Sequence, residues 1–560
     1  MQKLLLLFLS VFGAVAEAAA QDPSEVAFTR EFGAPGATGS FRARFSRQGA
    51  GLAFLQTMDH FVSLEARRKD EHVPGDYLLL ASNGPDHMLR LFRAGGDAVF
   101  PVDPAEAPWQ VEARDGALVF TLDGGNGLVL EKVLRHEPAA RGFTIELALR
   151  NRGAAAVGSL DLQFTGPTLV TQSESTLFGT LAVSAAAALD GTTETVPPDP
   201  QANVQTLGIA PSQVSFAGST NRFFGAFLWP QDEAARTALQ RFDVDTVPKV
   251  ADPTIQQTAF SSTRVRYSLR LPIPADGAET RLAYGLYLGP KSYRVFETLP
   301  HPEKFAPILD VDLNPPCCGG VTVPGGRPMA KLLLTLLGWF HDLVGNWGVA
   351  IIMLTILVRG LLSPLNFRMQ KSMRAYAGKM AVLKPKLDAL KEKYADDKAA
   401  YQQAMIALQR EHKLLPPLGG CLPIFLTMPI YIGLFTALRT AYDLRPEPFF
   451  GWIDDLSRAD ALFHLGFWPH HFNLLPLVWI GLFVWMSLRQ PLPTDPQQRQ
   501  MQMYMRFMPI LFGVMLYGYA SALMLYMVTS MVWSLVESTV IKRILGPMDP
   551  NVAAMAPTPM

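Results

Sequence analysis

The stretch Phe507–Val536, FMPILFGVMLYGYASALMLYMVTSMVWSLV, runs for 30 residues without a charge. As one helix it would be about 45 Å long at about 1.5 Å per residue, whereas the hydrocarbon core of a bilayer is about 30 Å thick. Two short helices are therefore expected, turning near Gly518-Tyr519-Ala520-Ser521. Upstream, Trp347–Leu365 carries a single charge, Arg359, while Cys421–Leu438 and Phe472–Leu488 carry none. The expectation is an α-helical polytopic membrane domain over 347–545, with five spans at about 347–366, 421–438, 472–488, 507–519 and 521–541, and a tail over 546–560.

Loop charge orients such a domain, because cytoplasmic loops are enriched in Lys and Arg. Residues 367–415 hold eleven basic and five acidic side chains, a net of +6, and are expected inside. Residues 439–471 hold three Arg against five Asp or Glu and are expected outside. Arg489, Arg499 and Arg506 against Asp495 place the next loop inside, and Lys542 and Arg543 close the last span inside. The 367–415 loop reads as a helical hairpin, with Pro385 in the first turn of one helix and Asp396-Asp397 capping a second, Lys398 to Lys413. Its charge suits anionic headgroups, or acidic RNA or protein partners.

Residues 331–346 form an amphipathic helix with Leu332, Leu333, Leu336, Leu337, Phe340, Leu343 and Val344 on one face. It is read as lying on the membrane surface. Before it, residues 311–330, rich in Pro and Gly, read as a linker.

The first half follows a different period. Phe143, Ile145, Leu147 and Leu149 alternate with polar or small residues, as do Val265, Tyr267, Leu269 and Leu271, and again Leu282, Tyr284, Leu286 and Leu288. Successive strand side chains point to opposite faces, so each stretch has one buried and one wet face. Asp123-Gly124-Gly125-Asn126-Gly127 separates two strand-like runs and signals a hairpin. Residues 22–310 are expected to be an antiparallel β-sandwich, with no helical periodicity competing. Met1–Gln21, with Lys3, an apolar core and Ala18-Ala19-Ala20, reads as a secretory signal or N-terminal anchor that exports the β domain.

Composition agrees with this division. The chain's 560 residues hold 49 Lys+Arg and 49 Asp+Glu. Residues 22–326 carry 26 basic and 34 acidic side chains, a net of −8, and residues 327–560 carry 22 and 14, a net of +8. The overall balance gives no support to a DNA binder, and three cysteines are too few for a disulfide framework. Neither a phosphate-binding G-x-x-x-x-G-K-[ST] loop nor a G-x-S-x-G elbow or H-E-x-x-H site is present. Asp59-His60 reads as an ordinary turn or strand edge, and His470-His471 as surface residues.

Arg359 is the leading candidate. An arginine at mid-bilayer costs about 2.5–3.5 kcal/mol on insertion scales and marks a protein interior or a water-filled cavity. The alternative is snorkelling to the inner headgroups. The functional reading is a positively charged, hydrated recess open inward. Around the last spans Met501, Met503, Met505, Met508, Met515, Met524, Met527 and Met531 offer flexible apolar surface.

Leu357-Val358-Arg359-Gly360 with Pro364-Leu365, Leu418-Gly419-Gly420-Cys421-Leu422-Pro423 with Met428-Pro429, and Phe507-Met508-Pro509 with Leu523-Met524-Leu525-Tyr526 resemble the spans of the YidC membrane protein insertases. The element order resembles that family's too, of the type with a large periplasmic domain. The chain departs at Pro416-Pro417, Thr427 and Ala520-Ser521-Ala522. The resemblance implies a non-enzymatic insertase and chaperone in a bacterial inner membrane, without cofactor. Implied partners are nascent membrane proteins, the Sec translocon, the ribosome and the lipid bilayer. It implies that Arg359 and Thr355 line a groove, and that Met428, Pro429, Ile430, Phe512, Met515, Leu523 and Met527 form an apolar slide for the incoming helix. Two other classes stay open: a lipid or solute transporter, and a membrane-anchored carbohydrate-binding β domain.

Overall fold

In the computed structural model, the described residues are 27–300 apart from 70, 72, 83–87, 95–98, 154–157, 170–182, 200–203 and 251–259, then 307–309, 326–411 apart from 395–396, 418–465, 471–488 and 496–546. The N-terminal segment 1–21, Cys317, Cys318 and His470 lie outside them. The chain divides at Asp312/Leu313 into two compact units.

Among its described residues, the first unit has three antiparallel sheets of four, five and nine strands. At the centre of the nine-stranded sheet, Glu279–Pro290 pairs with Gly142–Asn151, which pairs with Leu128–Glu137. Cross-strand partners share a face, so Leu147 opposite Leu282, Ile145 opposite Tyr284 and Phe143 opposite Leu286 set one continuous apolar wall. Both smaller sheets cover that wall. Phe41 meets Phe143 from the four-stranded sheet, and Phe164 meets Tyr284 from the five-stranded one. Tyr267 donates its hydroxyl to the Ala217 carbonyl across the layers at 2.7 Å.

The hairpin at Asp123–Gly127 forms as its residues dictate. Asp123 Oδ1 accepts from Gly125 N at 2.8 Å, and Gly125 and Gly127 take φ of 76° and 84°, a region that costs Gly little. The expectation of one wet face holds only in part. Tyr287, Phe227 and Trp229, on the opposite face, are buried beneath Phe296, Leu299 and Ile308. Among the described residues, short α-helices also interrupt the strands: α1 (Leu64–Lys69), α2 (Glu233–Ala238) and α3 (Tyr293–Glu297). They are too short for a 3.6-residue period to register in the sequence.

The second unit is helical, with α4 (Gly326–Val344), α5 (Trp347–Lys393), α6 (Lys398–Glu411), α7 (Leu418–Thr440), α8 (Leu474–Leu488), α9 (Pro496–Met515) and α10 (Ser521–Leu545). Helix α4 starts inside the expected linker, so 326–330 are helical. Its expected single apolar face is divided. Leu333, Leu337 and Phe340 join a core with Ala350, Ile351 and Leu354 of α5 and Leu434 and Leu438 of α7. Leu332, Trp339 and Leu343 point outward as a second apolar stripe.

Helix α5 begins with Asn346, whose side chain accepts from Val349 N at 3.0 Å. It continues through both Pro364 and Pro385 to Lys393. Pro385 therefore lies inside a long helix instead of opening a new one. Asp397 Oδ1 does accept from Ala399 N and Ala400 N at 3.0 Å, capping α6.

The 30-residue apolar run is split between α9 and α10 by a turn at 516–520. No proline makes that break. A preceding loop supplies it: Ser521 N donates to the Arg458 carbonyl at 2.6 Å and Ala522 N to the Leu456 carbonyl at 2.9 Å. These bonds satisfy amides that a helix start leaves open. Asp460, buried, accepts Leu474 N, Leu475 N and Trp452 Nε1 at 2.7, 3.0 and 3.2 Å and so caps α8. Among the described residues, Trp347–Ser372 and Ser521–Leu545 are long and apolar enough to cross a membrane.

Candidate functional site

Helices α5, α7, α8 and α10 line an open cavity of about 450 Å³. Arg359 enters it from α5. Tyr431, Ile432 and Phe435 face it from α7, and Trp479 and Met486 from α8. Leu523, Tyr526, Met527, Ser530, Met531 and Ser534 complete it from α10. The spacing explains the lining: 431 and 432 each lie four or three residues before 435, and 523, 527, 530 and 534 recur every three or four residues, so each set shares one helix face.

Arg359 is held, not loose. Its Nε donates to Ser530 Oγ at 2.6 Å, its Nη2 donates to the same oxygen, and its guanidinium sits 5.4 Å from the centre of the Tyr431 ring. No carboxylate pairs with it among the described residues. A guanidinium has five N–H donors, so Ser530 leaves most of them for whatever enters the cavity. The polar groups gather on α5 and α10, while Ile432, Phe435, Trp479 and Met486 make the opposite walls apolar.

The expected residues are distributed unevenly. Arg359, Leu523 and Met527 meet at the cavity. Thr355 is buried on the same face of α5, but its hydroxyl donates to the Ile351 carbonyl at 2.7 Å and it does not line the cavity. Met428 is exposed one turn before Tyr431, extending the α7 stripe beyond the cavity, while Pro429 and Ile430 are partly buried off that stripe. Phe512 is exposed on α9 and Met515 partly buried; neither reaches the cavity.

Arg359 is not the only charge within the apolar helices. Glu537 lies in α10, where Ser363 Oγ donates to its Oε1 at 2.7 Å and Asn366 Nδ2 lies 3.4 Å from both its oxygens. It stands one residue beyond the charge-free run, which hid it from a reading based on runs. Ser530 was missed because a hydroxyl in an apolar helix carries no pattern. The helical phase from Met428 could have found Tyr431 and Phe435.

The first unit has its own buried polar groups. Asp59 pairs with Arg141 at 3.0 Å and accepts Gly39 N at 2.8 Å, so it ties a strand to a turn. His136 Nε2 lies 2.7 Å from the Gly39 carbonyl, against Phe32, Phe41 and Phe143. Lys132, fully buried, donates to the Ala50 and Leu89 carbonyls at 2.7 and 2.5 Å. Burial pushes its ammonium down to about 7.

Residues 339–547 match the family model described as 60Kd inner membrane protein. This part of the chain is similar to that family. The match takes in α5 to α10 and so the whole cavity. The membrane protein insertase YidC of Neisseria meningitidis serogroup C (strain 053442) is 36% identical over 278 residues, covering 49% of this chain and 45% of that one. The insertase of the same name from Methylococcus capsulatus is 35% identical over 302 residues, covering 53% and 49%. The chain thus spans about half the length of the curated relatives it matches. Among solved structures, a GalM/aldose epimerase homologue from C. elegans has 9% identity and a TM-score of 0.28, covering 48% of this chain and 100% of that one. That likeness carries no argument about the β unit.

Proposed function

We propose that this chain inserts nascent membrane proteins into a bacterial inner membrane. The observation that carries the reading is Arg359, held by a single hydroxyl at the wall of a largely apolar cavity in a 60Kd inner membrane protein domain. A cation there offers an incoming polar or acidic segment a partner part-way across the bilayer. That lowers the cost of leaving water, several kcal/mol for a polar group without a hydrogen bond. The action is binding and partition, with no covalent step.

In this reading the first unit is exported, α5, α7, α8, α9 and α10 supply five spans, and the end of α5 with α6 is the cytoplasmic hairpin. The substrate's apolar helix slides along the α7 stripe from Met428, past Leu523 and Met527, with Pro429, Ile430, Phe512 and Met515 on the lipid-facing approach. Thr355 packs above Arg359 and holds its turn of α5. The substrate then enters lipid, driven by about 25 cal/mol per Å² of apolar surface. The ribosome and the Sec translocon are the expected partners.

Replacement of Arg359 by Ala, tested in proteoliposomes with several single-span substrates, is expected to reduce insertion of those with acidic leads most. Undiminished insertion of all of them would overturn the role. Photo-crosslinkers at Met428, Leu523 and Met527 are expected to capture stalled nascent chains; labelling of lipid alone would overturn the slide.

A further inference from the structure

The polar face that bears Arg359 continues past the cavity. On α5, Arg359, Ser363 and Asn366 recur at spacings of four and three; on α10, Ser530, Ser534 and Glu537 do the same. The two helices run parallel, since Arg359 meets Ser530 while the later Ser363 and Asn366 meet the later Glu537. A second polar layer thus lies beneath the first. Seven residues separate Ser530 from Glu537, about 10 Å along the helix at about 1.5 Å per residue.

That layer is negative. Glu537 is partly buried and has no Lys or Arg partner among the described residues. A carboxylate accepts about four hydrogen bonds. Ser363 and Asn366 both reach Oε1, and Oε2 has only the long Asn366 contact. Clamping α5 to α10 does not require this charge, because a glutamine oxygen would also accept from Ser363, though more weakly. Carrying a charge in an apolar helix is costly. What the acid adds over the amide is attraction for a cation.

We infer that Glu537 is a specificity-determining residue that holds the basic flank of the substrate. The inference rests on the insertase reading above. Arg359 takes the acidic or polar lead as it enters, and Glu537, nearer the C-terminal end of α10, retains the Lys- or Arg-bearing flank that stays behind. The two layers read a charge order along the substrate, negative ahead and positive behind. This is the order that leaves basic residues on the cytoplasmic side.

The test uses the full chain in proteoliposomes and two single-span substrates with the same apolar segment. One has an Asp lead and a Lys flank; the other has them exchanged. Wild type is expected to prefer the first. Glu537→Gln is expected to reduce that preference about fivefold, the equivalent of about 1 kcal/mol for one ion pair. Glu537→Asp keeps the charge and is expected to retain most of the preference. Ser363→Ala loosens the clamp and is expected to affect both substrates alike. A carbodiimide crosslink between the Lys flank of a stalled substrate and Glu537 is expected in wild type and absent in Glu537→Gln. If wild type inserts neither substrate, the insertase reading fails and this inference with it. If wild type inserts both but without preference, or if Glu537→Gln keeps the full preference, the inference alone is overturned.

Discussion

Ser530→Ala removes the hydroxyl to which Arg359 donates twice, and its consequence can be sized. Both donors share one oxygen, so the loss counts as one strong charge-assisted interaction, and a hydrogen bond to a charged group contributes about 1.5–3 kcal/mol. The aromatic face of Tyr431 remains, 5.4 Å away, but it accepts no conventional hydrogen bond. Without Ser530 the guanidinium is left in a largely apolar lining whose other hydroxyls are those of Tyr431, Tyr526 and Ser534, none of which bonds to it here, and headgroup contacts outside the cavity become preferable. A loss of about 1.5–3 kcal/mol reduces the ratio of Arg359 inside the cavity to Arg359 outside it about 13- to 150-fold. The assay is the initial rate at which a single-span substrate with an acidic lead becomes protease-protected in proteoliposomes. Ser530→Ala is expected to approach the Arg359→Ala rate, whereas Ser530→Thr, which keeps a hydroxyl, stays near wild type. A Ser530→Ala rate within about twofold of wild type, under 0.5 kcal/mol, would refute the view that this bond positions the arginine.

Other expectations concern the scaffold. Burial lowers the Lys132 ammonium to about 7, so between about pH 7 and 10.5 the unfolded chain binds the extra proton. Stability of the β unit therefore rises with pH across that window, at up to about 1.4 kcal/mol per pH unit, and the benefit is lost as pH falls through 7. Lys132→Met should flatten this slope in thermal unfolding followed by β-sheet circular dichroism; an unchanged slope would assign it to other groups. Asp460→Ala leaves the first amides of α8 and the Trp452 indole without their acceptor and should cost about 2 kcal/mol, measured by denaturant unfolding in detergent. Gly513 is the one buried residue among the described side chains of α9, and a Cβ there would lie 2.3 Å from Ile480 Cδ1. Gly513→Leu should lift α9 from α8, speeding hydrogen exchange in α9 while leaving α10 unchanged; equal exchange in wild type and variant would show that Ile480 yields instead.

Much of the architecture is written in periodicity. The alternation at Val265–Leu271 and Leu282–Leu288 marks strands because one face of each is buried under another sheet. The length of Phe507–Val536 demands a break because a bilayer is thin. What escaped is less regular. Tyr287 is buried because α3 and the residues after it fold back over the sheet, and such covering is a tertiary event that no local pattern encodes. Pro385 marks a helix start by local preference but lies mid-helix in α5, where a long helix overrides it. At the site, Arg359 was legible because a charge among apolar residues is conspicuous. Ser530, Ser363 and Asn366 were not, because their meaning comes from helices 170 or so residues apart being brought side by side.

The tether at the start of α10 has a consequence for inhibition and for evolution. The carbonyls of Asp455, Leu456 and Arg458 all bond to Ser521 or Ala522, at the end of α10 remote from Glu537. The wall that carries Leu523, Met527 and Ser530 is therefore latched from outside the cavity. A small molecule or antibody wedged between that loop and α10 would unlatch the wall without ever entering the cavity. Escape from such an agent would require changes in a loop whose Ile453 and Leu456 are buried in the helical core, so resistance would come at the expense of folding.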